Sequence, residues 1–429
     1  MLWHTVLRSS SASWAAPVVA VFVLFLLQDS LTANTTHGYW NGATGAASYA
    51  LTFVVSACAG AGAWEGSRFS RGHVTHWAPA RNPLSVALPI LTPIVLLGIL
   101  GMGMALTVSA WSADTGLGTP HPGIVIMWLV MIGAATVAGF LAGRLMPPFI
   151  AVPLSLLATF CITAYPASIE PLWIRHLVGG AMFDCCALDQ TPDWRALDST
   201  IATALGVLLS GLVLIFYSVK VRTSLLACAL LVGGLGTGVW LAHDLPAQPF
   251  VNRSSSDLVC FGEAPRVCVW PELTSRSVMI RQSAIAASLR LRDAGLVIPD
   301  TFTMAGPPSE NQLLIGTGAQ PTPDEVTSGV AGGFLPLAPP ACALSGSYPG
   351  GQAYGSVAAW LALTAGVKPA ELTNRYDPRD IAMAKDVIRQ SKSTQLTWYS
   401  RNSQALRNCT SKPVLPPKTL AVGPSGAAK

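Results

Sequence analysis

Residues 84–111 read LSVALPILTPIVLLGILGMGMALTVSAW, a stretch without a single Lys, Arg, Asp or Glu. About 20 apolar residues cross a bilayer as a helix, because lipid offers backbone amides no partner and a helix satisfies them internally. Six further runs accompany it: Ala15–Gln28, Ala47–Trp64, Gly123–Gly143, Phe149–Tyr165, Ile201–Tyr217 and Ser224–His243, again without charged residues. One such run can be a buried helix of a soluble protein. Seven within the first 243 residues predict an α-helical integral membrane bundle of about seven transmembrane helices. Charged residues make up 11% of the 429, about half the usual share of soluble domains.

Basic residues in short loops mark the cytoplasmic side. Arg8 precedes the first run, Arg68, Arg71 and Arg81 separate the second and third, Arg144 the fourth and fifth, and Lys220 and Arg222 the sixth and seventh. The alternate loops carry only Arg175 and Arg195. This bias predicts a multi-pass plasma-membrane protein with a cytoplasmic N-terminus and everything after Asp244 outside. The first run is short; it is read as a retained span, the alternative being a signal-peptide core. Pro89, Pro93 and Pro153 lie inside runs and are expected to kink them. Gly133, Ala134, Ala135, Ala138 and Gly139, with Gly233, Gly234, Gly236 and Gly238, suit close helix packing in lipid.

Beyond Asp244 the hydropathy falls. The reading divides the chain into an interfacial helix over 1–14, a membrane domain over 15–243, a linker over 244–257, an extracytoplasmic domain over 258–412 and a disordered tail over 413–429. The outer domain is expected to be small and α+β, with helices at Leu273–Gly295, Tyr354–Gly366, Asp377–Gln390 and Ser393–Arg407. Gln312–Gly316 is a candidate strand, and Gly306–Pro349 reads mostly as loop. Asp377 followed by Pro378 is a cap with proline at the first helical position.

Of the nine cysteines, Cys58, Cys161 and Cys228 fall inside runs and serve as small apolar residues. The other six fall in outside segments, where disulfides persist. Cys260 with Cys268 is the first expected pair and Cys342 with Cys409 the second. Cys185 and Cys186 are adjacent, and the alternatives are a bond between them or a bridge from one or both to the outer domain; six cysteines allow fifteen pairings. Their spacing matches no common zinc pattern.

The seven histidines all lie at or before His243, which excludes a Ser-His-Asp triad, a Cys-His pair or an HExxH zinc site within the outer domain. His73 and His76 sit one turn apart in an arginine-bearing loop and read as solvated. No Walker A glycine loop occurs, so any ATP must sit on another chain. Apart from the boundary His243, the runs hold no acid or base for an ion relay. Asp184, Asp189, Asp193 and Asp198 could collect a cation, but a solvated acidic loop is the usual explanation of such a cluster.

The most specific motif runs Trp64-Glu65-Gly66-Ser67-Arg68-Phe69-Ser70-Arg71-Gly72-His73 and continues to Pro79-Ala80-Arg81-Asn82-Pro83. This stretch resembles the coupling-helix loop of ABC-2-type transporter permeases, and Leu2–Arg8 looks like the interfacial helix preceding their first span. The segment Asp257–Glu272 is similar to one in uncharacterised actinobacterial membrane proteins of permease type. The resemblance implies a permease subunit without its own ATPase or catalytic residues, and hence no enzyme by itself. It would work, in export, with a separate ATP-binding cassette subunit and with a second permease copy or paralogue. Glu65, Arg68, Phe69, Arg71, Trp77 and Arg81 would form the docking loop. Six spans with both termini inside are the family pattern, from which this chain departs in its seventh run and outer domain. The competing expectation is a membrane anchor for an outer domain that binds a ligand or partner.

Overall fold

A computed structural model describes residues 8–33, 35–72, 83–217, 221–346 and 348–416. The chain forms two compact units, Met1–Val251 and Asn252–Lys429.

The first unit is a helical bundle. Helix α1 (Ser11–Val21) begins at Ser10, whose hydroxyl accepts the Ala12 amide, and passes into a π-helical turn over Phe22–Leu26. A short α2 (Gln28–Ala33) follows. Next, α3 (Trp40–Ala47) joins α4 (Leu51–Arg71) through one 3₁₀ turn as a 32-residue span. The remaining long helices are α5 (Pro83–Ala113), α6 (Pro122–Leu145), α7 (Pro148–Ala164), α8 (Trp194–Tyr217) and α9 (Val221–Ala242).

Among the described residues six helices are therefore long and apolar enough to cross a membrane, as a multi-pass membrane protein requires. The first apolar run differs from the other six. It folds as a 16-residue helix, Ser11–Leu26, too short to join them. The regular α-helix gives way at Phe22, and Leu27 closes the π turn through its amide to the Phe22 carbonyl. By contrast, α5 runs unbroken through Pro89 and Pro93. The span containing α4 is the centre of the bundle, with 78% of its apolar window buried, whereas only 17% is buried for the span containing α7.

The second unit is a small α/β domain. Strands β3 (Val259–Phe261), β4 (Arg266–Val269), β5 (Thr301–Thr303) and β6 (Gln312–Leu314) form one sheet in that order; two earlier strands, β1 (Gln190–Pro192) and β2 (Phe250–Asn252), form a separate pair. The β3–β4 pair is antiparallel, and both β4–β5 and β5–β6 are parallel. Between β4 and β5 the long crossover that parallel strands call for is α10 (Ser277–Asp293), whereas β5 and β6 are joined by residues 304–311 without a helix. Helices α11 (Pro323–Gly332), α12 (Tyr354–Ala365), α13 (Pro369–Leu372), α14 (Pro378–Ile388) and α15 (Lys392–Arg407) complete the unit.

Its core is built on Phe302 of β5 and on Trp270, Trp360 and Trp398, all essentially inaccessible. The α12 helix is buried without interruption from Ser356 to Ala362. It stops at Gly366, where φ of +103° lets the Val367 amide return to the Ala362 carbonyl. Asp377 caps α14 by accepting the Arg379 amide, with Pro378 in the first turn, as the sequence predicts.

Gly306–Pro349 is mostly loop, as the sequence predicts, yet it also holds α11, closed at its start by a reciprocal capping box between Thr322 and Glu325. The expected linker also has local structure. Arg253 is partly buried, pairs with Glu272 and Asp257, and lies 4.8 Å from the Trp270 ring centroid.

Cys260–Cys268 and Cys342–Cys409 are bonded as expected, the first across the β3–β4 register and the second over 67 residues. Cys185 pairs with its neighbour Cys186 rather than bridging to the second unit. Cys58, Cys161 and Cys228 are free. Of the expected disordered tail, Val414 and Leu415 are held by Asn402 and Trp398, and residues 417–429 lie outside the described residues.

Candidate functional site

The sequence places a docking loop between the second and third spans, and its first four residues occupy the last two turns of α4. Why the helix persists so far follows from its glycines. Gly62 and Gly66 lie one turn apart on the face toward α6, and Gly139 and Gly143 return the same spacing. A Cβ on Gly66 would sit 2.0 Å from the Phe140 carbonyl oxygen, and one on Gly143 would sit 1.9 Å from the Ala63 carbonyl oxygen. The two backbones therefore touch, the arrangement small residues permit in lipid. Ser67 fastens the end of this seam by donating to the Ala63 and Gly143 carbonyls, each at 3.0 Å. The α4–α6 interface is the most extensive in the unit.

Beyond the seam, Phe69 is buried against Phe140, with ring centroids 5.5 Å apart and the Arg144 guanidinium over the Phe69 ring. On another face of α4, Glu65 is also buried. Its Oε1 accepts the Ser11 amide at 2.7 Å, and both its oxygens accept from Arg68 at 3.2–3.3 Å. Arg68 also donates to the Ser9 carbonyl at 2.7 Å. A carboxylate at a helix N-terminus meets the positive end of the helix dipole and an amide without an intrahelical acceptor. Glu65 and Arg68 thus clamp the start of α1 onto the end of α4.

The structure accordingly divides the expected docking residues. Glu65 and Phe69 point inward as bundle residues, Arg68 is half exposed but committed to the clamp, and Arg71 stands exposed at the last helical position. Trp77 and Arg81, with His73 and His76, lie outside the described residues, as do residues 1–7 of the expected interfacial helix. The paired Gly-x-x-x-Gly spacings were the sequence signal for the rigid seam; reading the glycines singly conceals it.

The segment between α7 and α8 holds the polar groups that the sequence noted as an acidic loop. Asp193 is buried and caps α8 by accepting the Arg195 amide, while Asp184, Asp189 and Asp198 are exposed. Among the described residues no group of three His, Cys, Asp or Glu side chains is placed to hold a metal ion. His176 is buried, donates to the Pro246 carbonyl at 2.8 Å, and is held below the ordinary histidine range chiefly by burial.

In the second unit a surface groove of about 320 Å³ is lined by Leu296, Val297, Phe334, Leu396 and Tyr399, with Val297 almost fully exposed. Tyr399 stacks on Trp360 at 5.3 Å and donates to the Phe334 carbonyl, so one wall of the groove is fixed by the core.

Residues 267–409, most of this second unit, match a family described as a domain of unknown function, DUF7224. No curated protein and no solved structure matches the chain.

Proposed function

We propose that this chain is the membrane-embedded, permease-like subunit of an ATP-driven transporter. On this reading it lies in the plasma membrane with the α4 end in the cytoplasm and the α/β unit outside, and it exports its substrate. A separate ATP-binding cassette subunit docks where α4 emerges. The observation that carries the reading is the construction of that end. The exposed Arg71 terminates a helix whose preceding turns are locked to α1 by Glu65 and Arg68 and to α6 by touching backbones. A push delivered beside Arg71 would be passed to the bundle centre as a rigid-body movement, since packed helices shift between discrete arrangements and do not deform continuously.

The clamp also determines which variant tests the idea. Arg68 serves α1, so replacing it confounds docking with packing. Among the described residues Arg71 bonds within its own helix, from Nε to the Ser67 carbonyl. A photo-crosslinker in place of Arg71 should capture an ATP-binding subunit in intact cells, and Arg71→Glu should abolish copurification while leaving the Tm unchanged. Full copurification with Arg71→Glu would count against docking at this end.

The apolar groove of the second unit favours one other reading, a membrane anchor presenting a partner-binding domain outside. In that case Arg71→Glu would be silent and Val297→Glu would abolish partner capture.

A further inference from the structure

Helices α7 and α8 both pack on α6, yet their shared contact is slight. Between them lies a cleft of about 190 Å³. Its floor is the small-residue face of α6, Ala134, Ala135 and Ala138. Its walls include Ile162 of α7 and Val207 of α8, and Leu177 and Val178 of the intervening loop close one end. The lining is almost wholly apolar. Apolar cavities of about 150 Å³ already accept a benzene-sized guest and stay free of water. Ile162 and Ala138 are exposed, so the cleft opens on an outer face of membrane-spanning helices, the face that meets lipid chains.

Arg175 belongs to the same loop segment, Leu172–Leu177, two residues before Leu177. Its guanidinium donates to the carbonyls of Ala167, just past the end of α7, and of Ala247. Neither carries a formal charge, and the buried Nε has no acceptor. Among the described residues no carboxylate lies within ion-pair distance of Arg175. The Asp184 carboxylate is close enough only to be influenced electrostatically, and the neighbouring His176 is held neutral by burial. An arginine paired only with carbonyls, in the loop whose Leu177 and Val178 close an apolar slot open to lipid, matches a phosphodiester joined to a hydrocarbon chain; Arg is suited to phosphate oxygens.

We propose that the cleft between α6, α7 and α8 binds one acyl chain of a bilayer phospholipid, whose phosphate is met by Arg175. The site is independent of any ATP-binding partner. The lipid completes the packing that α7 and α8 do not make with each other.

The test uses the full chain, delipidated in mild detergent, with binding of phosphatidylglycerol and of diacylglycerol measured by native mass spectrometry. Ala138→Phe fills the cleft from an exposed position, so folding is not at issue, and it should lower phosphatidylglycerol binding at least tenfold at unchanged Tm. Binding equal to wild type would overturn the chain site. Arg175→Gln should weaken phosphatidylglycerol and leave diacylglycerol unchanged. Equal weakening of both, or of neither, would overturn the phosphate assignment.

Discussion

Glu65 shows how a single residue can be legible as important and illegible in role. Its position at the exit of an apolar run drew notice, but sequence spacing cannot show that α1 returns to it. The Ser11 amide and Arg68 both depend on its carboxylate. Glu65→Ala leaves both without it, and stranding such groups costs about 1–3 kcal/mol. Glu65→Gln retains an acceptor oxygen and should lose less. Thermal unfolding in detergent should rank wild type, then Gln, then Ala; a stable Ala variant would dismiss the clamp. His176 gives a pH dependence. Burial holds its folded pKa below the ordinary 6.5, so the folded state keeps it neutral where an unfolded chain is already protonated. Its contribution is complete above pH 6.5 and is lost as the pH falls through the lowered folded value. His176→Gln should therefore flatten the fall in Tm between pH 7 and pH 5; an unchanged slope would place the acid sensitivity elsewhere.

The long helices were readable because hydrocarbon thickness imposes a length and excludes charge, two properties visible in any window of 20 residues. The first run escaped this rule: its apolar composition sufficed, yet its α-helix gives way to a π turn at Phe22. In the α/β unit β3, β4 and β5 went unseen, since each spans only three or four residues and the β4–β5 pair joins segments distant in sequence. The capped α14 was legible because Asp377 and Pro378 act locally. Helix α11 carries an equally local signal in Thr322, Pro323 and Glu325, obscured by the prolines and glycines around it. The α4–α6 seam yields the sharpest prediction for an element. Gly66→Val must displace the Phe140 carbonyl and should cost about 3 kcal/mol or more, the upper range of overpacking. Gly236→Ala is the control, since nothing lies within 4 Å of its added carbon. Comparable losses in Tm for both variants would remove the seam as the rigid element.

Across the whole molecule, the division into a membrane bundle and a disulfide-bonded α/β unit was legible from hydropathy and cysteine placement. The distribution of work within it was not, because it depends on which helix faces meet. The two disulfides of the second unit should differ in weight. Cys342–Cys409 spans 67 residues, and closing so long a loop is worth about 4 kcal/mol, against about 2–3 for the eight-residue Cys260–Cys268 loop. Replacing Cys342 and Cys409 by Ser should lower the unfolding temperature of this unit more than replacing Cys260 and Cys268, a ranking that calorimetry of the full chain reads directly; the reverse order would contradict it. The central claim is the partnership at the end of α4. Its most direct test is purification of the tagged chain from native membranes in mild detergent, with mass spectrometry of whatever accompanies it. A stoichiometric ATP-binding subunit, lost on Arg71→Glu, is the predicted result. Recovery of the chain without any ATP-binding protein would contradict the account.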